Sequence, residues 1–173
     1  MERAWSLFTQ GHAAEAVQML DALIKRLQQT TVFDTAFMLA VAQSRLGCIY
    51  QQSGHTAEAI PILRQAAGAL ERLVGQTVNL SPSETIEALL TSETQEAKQR
   101  REACAQSLNA LARTMGDLAN ALKNAGRFDE ALSTANQSID INRVQGRDLD
   151  VGVGLVQIAV DLLKLSQREQ RAP

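Results

Sequence analysis

The chain of 173 residues is 45% hydrophobic but only 3% aromatic, with three Pro against 26 Ala, and its length suits one domain whose core needs neither disulfides nor a structural metal. That imbalance favours helices packed through small side chains, argues against a β-sandwich or barrel, and leaves little for a single-stranded nucleic-acid stacking platform. A formal net charge of -2 carries no basic footprint for nucleic acid: Lys98, Arg100 and Arg101 are bracketed by Glu96 and Glu102 and read as a solvated helix face.

In chain order, Met1-Glu2-Arg3-Ala4-Trp5 enters a polar helical pattern at once, without a signal-type apolar run. Residues 11–20 then read GHAAEAVQML, and residues 54–63 read GHTAEAIPIL, 43 residues later. A third block, GRFDEALSTA at 126–135, follows after 72 residues, which is not one such period. Each block opens on Gly and carries Glu four places on, Ala at five and Val, Ile or Leu at six.

A physical reading fits all three. Gly11, Gly54 and Gly126 end one helix in a left-handed turn. Glu15, Glu58, Asp129 and Glu130 sit at the dipole-favoured start of the next. Ala16, Ala59 and Ala131 let two helices approach closely. Upstream of the second turn, Leu39, Ala42, Leu46, Ile49 and Tyr50 form one stripe at helical spacing; Leu108, Leu111, Met115, Leu118, Ala119 and Leu122 do so before the third. Pro61 is the irregular residue, expected to bend its helix if it lies past the first turn.

The longer gap holds an insert at 76–100. Ser81-Pro82-Ser83-Glu84 is a helix start, and residues 82–124 are compatible with one helix or two. A fourth unit begins near residue 147 with Leu155, Ile158, Ala159, Leu162 and Leu165, yet no second helix follows before Pro173.

These blocks resemble tetratricopeptide repeats, in particular the longer variant of about 42 residues found in kinesin light chains. The middle repeat carries Leu46-Gly47, Tyr50, Gly54, Glu58-Ala59, Leu63 and Ala66. The later one carries Leu118-Ala119, Leu122, Gly126, Phe128, Glu130-Ala131 and Ala135, and the first supplies Ala4, Leu7, Gly11, Glu15-Ala16 and Leu20. The resemblance implies an all-α fold, a right-handed superhelical array of antiparallel helix pairs (an α-solenoid) with an inserted or extended helix, as a single domain over 1–173 with an incomplete last repeat at 147–173.

It also implies a scaffold that binds a peptide or helix of a partner protein in the groove lined by first helices. Carried over, the groove positions are Val41, Ser44, Cys48, Gln51 and Gln52 on the middle repeat. On the later repeat they are Arg113, Gly116, Asn120, Lys123 and Asn124. The carboxylate clamp of chaperone-tail binders is disfavoured, because only Arg113, Asn120 and Lys123 offer anything comparable. The alternative is self-association into a homodimer through Val156, Val160 and Leu163 of the unpaired last helix, or through helix exchange, since repeat ends need a polar cap.

Catalysis finds no support. His12 and His55 occupy equivalent turn positions, no HExxH or Cys cluster offers a metal site, and neither His shares a helix face with Cys48. Gly152-Val-Gly154 lacks the strand-turn-helix context of a dinucleotide loop. The expectation is therefore no enzyme, no cofactor, no metal and no membrane span, with two free thiols, Cys48 and Cys104, and a cytoplasmic location.

Overall fold

In the computed structural model, described over residues 1–29, 33–78 and 94–147, the regular elements are helices throughout. They are α1 (Glu2–Thr9), α2 (Ala13–Leu27), α3 (Phe33–Gln52), α4 (Thr56–Val78), α5 (Gln95–Asn124) and α6 (Phe128–Val144). Each packs on the next in chain order, and α3 also touches α5. The arrangement is that of a tetratricopeptide-like α-solenoid.

The turns explain why the pairs form. Gly11, Gly54 and Gly126 have φ of 90°, 83° and 76°, the left-handed region that a side chain resists. At each, the following N–H reaches back five residues: His12 to the Leu7 carbonyl, His55 to Tyr50 and Arg127 to Leu122, at 2.8–2.9 Å. That closure satisfies carbonyls left over at the helix end and reverses the chain. Gly146 repeats the geometry after α6, with Arg147 bonded to the Asn142 carbonyl.

Packing follows the small residues. Ala16, Ala59 and Ala131 are buried, as their repeat positions require. Ala4, Ala16, Leu20, Ala42, Leu46 and Ile49 make one core between the first two helix pairs. Ala59, Ile60, Leu63, Leu118, Ala121, Leu122 and Ala131 make the next, and Ala40, Ala67, Leu70, Leu73, Leu111 and Met115 a third. Fully buried leucines such as Leu63 and Leu70 contribute about 1.5–3 kcal/mol each before ordering costs.

Pro61 is the sixth residue of α4, past its first turn, so the Ala57 carbonyl lacks its intrahelical donor. The ring faces outward, where water can meet that carbonyl.

The 76–100 stretch is helical at both ends: α4 runs to Val78, and α5 starts at Gln95 behind Thr94, whose hydroxyl accepts from the Ala97 N–H at 3.3 Å. From there α5 is continuous for 30 residues. The helix start at Ser81–Glu84 lies outside the described residues. So do the incomplete last repeat beyond Arg147, with Val156, Val160 and Leu163, and the Gly152–Gly154 segment.

Candidate functional site

The chain lays its helices in two rows. The first helices of successive pairs are neighbours, since α3 meets α5 and Trp5 of α1 lies under Arg45 of α3. The second helices adjoin as well: Arg64 of α4 donates to Glu130 of α6 at 2.6 Å, while Arg127 grips the same carboxylate with two bonds of 2.7 Å. The Arg127 hydrogen bonds, above all, hold Glu130 below the usual carboxylate range. The row α1, α3, α5 is the first-helix face.

Its centre is a polar seam between α3 and α5. Ser44 Oγ and Thr114 Oγ1 are buried and 2.8 Å apart. Thr114 gives its single proton to the Ala110 carbonyl, so Ser44 is the donor between the two hydroxyls. One turn along α3, the Gln52 amide donates to Cys48 Sγ at 3.2 Å, and the Cys48 thiol is within electrostatic reach of the Asp117 carboxylate of α5. Burial, followed by the Asp117 charge and hydrogen bond, pushes the thiol up to about 12, so Cys48 stays protonated and is a poor nucleophile. Burial also lifts Asp117 to about 6, against the opposing pull of Cys48, Arg113 and Arg45.

Beside Arg45, on α1, is an aromatic pair. Trp5 and Phe8 have ring centroids 5.5 Å apart, and the Arg45 guanidinium lies 4.9 Å from the centroid of the Trp5 ring.

The expected groove residues fall into two groups. Ser44 and Cys48 are 7% and 6% exposed, and their polar atoms are used inside the seam. Gln52, Arg113, Asn120 and Asn124 are exposed; Val41, Gln51 and Lys123 are half-buried. Gly116 looks toward Ser138 of α6, its pair partner, at 4.0 Å.

Sequence reasoning missed Trp5, Arg45 and Asp117. The register held the signal. Trp5, Cys48 and Asn120 each lie six residues before a turn glycine, and Arg45 and Asp117 each lie nine before theirs. Extending the groove positions to the shortened first repeat would have found Trp5.

Both cysteines are free thiols. Among the described residues, no three His, Cys, Asp or Glu side chains gather to hold a metal, and no helix is long and apolar enough to cross a membrane.

Comparison with known families agrees with this geometry. A family signature described as tetratricopeptide repeat matches residues 39–77 and 111–143, and a second of the same description matches residues 1–22. No curated protein matches the sequence. The matched segments fall on the three helix pairs α1–α2, α3–α4 and α5–α6 and together span more than half of the chain. The chain belongs, at superfamily level, to the tetratricopeptide-repeat proteins.

Proposed function

We propose that the protein is a non-enzymatic scaffold that binds a peptide or helix of a partner protein along the first-helix face. The observation that carries this reading is the row of first helices, in which the half-buried Trp5 of α1 lies against Arg45 of α3 while Gln52 of α3 and Arg113, Asn120 and Asn124 of α5 are exposed. Such a surface combines an apolar anchor with groups that orient a backbone or a polar side chain. Arg113, Asn120 and Asn124 on one helix reach a ligand from the same side, because their spacing keeps them near one face.

The free thiols fit a reducing compartment, which supports a cytoplasmic partner. The 20- and 23-residue helices of the middle pair support the longer, kinesin-light-chain-like variant of the repeat.

The test is selection of a binding peptide from a displayed library on the intact chain, followed by mapping of backbone amide shifts. Shifts gathered on α1, α3 and α5, and binding lost in an Arg113→Ala, Asn120→Ala, Lys123→Ala triple variant, support the face. Shifts gathered on α2, α4 and α6, or undiminished binding by the triple variant, reject it.

A further inference from the structure

Trp5 of α1 and Arg45 of α3 meet where the first two helix pairs join, with the guanidinium carbon 4.9 Å from the centroid of the indole ring. Both side chains are half-buried. Among the described residues, Arg45 makes no hydrogen bond and no contact ion pair, and the Trp5 indole makes no hydrogen bond, so the ring itself holds the cation. Neither group is sealed off. Among the described residues, Ser107 Oγ is the one buried side-chain polar atom without a partner, so the Arg45 nitrogens and the Trp5 indole nitrogen reach the surface. An indole and a guanidinium offer donors and no acceptor. The junction thus gathers unpaired donors around a fixed cation.

The second-helix side is different. There Arg64 and Arg127 close on Glu130, and Arg143 closes on Asp140. At the junction no acid closes: Glu2, one turn before Trp5, bonds neither side chain, and Asp117 is within electrostatic reach of both Arg45 and Arg113, one carboxylate against two guanidiniums. The cation is also peculiar to this place. Trp5 and Arg45 stand six and nine residues before their turn glycines, and the next junction carries Cys48 and Asp117 at those positions.

We propose that Trp5 and Arg45 form an anion-reading subsite of the first-helix face, which takes a side-chain carboxylate, from Asp or Glu, of a bound partner peptide. The inference rests on the docking face proposed above and names the chemistry of its ligand. The planar fork of Arg45 suits a carboxylate, and its contact with the indole restrains the fork before a ligand arrives. Half-burial makes the pairing stronger than at a fully solvated arginine. The indole N–H adds a neutral donor from a second helix, so the subsite exists only where α1 and α3 are docked. One cation with one neutral donor matches the single charge of a carboxylate better than the larger charge of a phosphate.

The experiment titrates the full chain with a capped tri-glutamate peptide and follows the indole N–H by nuclear magnetic resonance; the single tryptophan makes that signal unique. Capped tri-glutamine and inorganic phosphate are the parallel probes. The expected result is a saturable shift with tri-glutamate and none with tri-glutamine, weakening as salt rises from about 0.05 to 0.5 M. Arg45→Gln should weaken tri-glutamate binding at least about tenfold, while Arg64→Gln on the other side leaves it unchanged. An absent shift, an equal response to tri-glutamine, or undiminished binding by Arg45→Gln overturns the proposal. Saturation by phosphate at the same or lower concentration overturns the choice of a carboxylate. The comparison of probes on the unaltered chain needs no variant to fold. If tri-glutamate shifts the indole while library-selected peptides map to α2, α4 and α6, the docking face fails and the subsite stands. Selected peptides on the first-helix face, without an indole response to tri-glutamate, give the reverse.

Discussion

Gly47 of α3 lies so close to Leu63 of α4 that a β-carbon placed on it would stand 2.6 Å from the leucine Cγ and 2.8 Å from Cδ2. Leu63 is fully buried, so it has no open space into which to retreat. Two effects oppose each other in Gly47→Ala. Helix propensity favours alanine by roughly 1 kcal/mol, whereas overpacking a filled core costs about 1–3 kcal/mol. The clash wins, and the variant should unfold at a lower urea concentration with an unchanged slope. A midpoint equal to that of the parent would show that α3 and α4 can part at no cost.

The Ser44–Thr114 hydroxyl pair joins two repeats through buried atoms, and its value lies in leaving neither partner alone. Thr114→Val removes the acceptor and strands the Ser44 proton, at a cost of about 1–3 kcal/mol. Adding Ser44→Ala removes the stranded group, so the double variant should recover most of that loss. Chemical denaturation of the four proteins measures the coupling. Additive losses would mean that the two hydroxyls do not depend on each other.

Asp117 has a consequence for stability as well as for charge. Its folded value, about 6, lies above the ordinary 3.8 expected for the unfolded chain. The folded state therefore holds the proton more tightly, and the contribution of this group is fully present below about pH 3.8 and lost as pH rises through about 6. At neutral pH the ionised carboxylate should cost on the order of 1–2 kcal/mol, after allowance for its partial exposure. Asp117→Asn should accordingly raise the melting temperature at pH 7.5 and lose that advantage toward pH 4. An advantage that stays constant with pH would assign it to packing.

How much of this was visible in the sequence depends on whether the signal was local. The turn glycines, the contact alanines and the apolar stripes repeat in register, so Gly54, Ala59 and Leu46 declared their roles without a structure. The first-helix face is different. Whether Ser44 is open or buried depends on the rotation of α5 against α3, which no local spacing encodes. Asp117 looked like one more surface acid because its partner, Cys48, lies on another helix pair. Trp5 was overlooked because the first repeat is shortened, and its register has to be counted backward from Gly11.

Glycine supplies the last prediction, through two positions that look alike in sequence. Gly54 has φ of 83° in the turn between α3 and α4, whereas Gly75 lies within α4 with ordinary helical φ. Neither has a described atom within 4 Å of an added β-carbon, so steric crowding distinguishes nothing here and backbone conformation decides. Gly54→Ala forces alanine into the left-handed region at about 1–2 kcal/mol. Gly75→Ala relieves a helix interior of its most flexible residue and should stabilise by about 0.5–1 kcal/mol. Melting temperatures of the two variants should therefore move in opposite directions from the parent. A loss of stability in Gly75→Ala would mean that α4 does not continue as regular helix through that position.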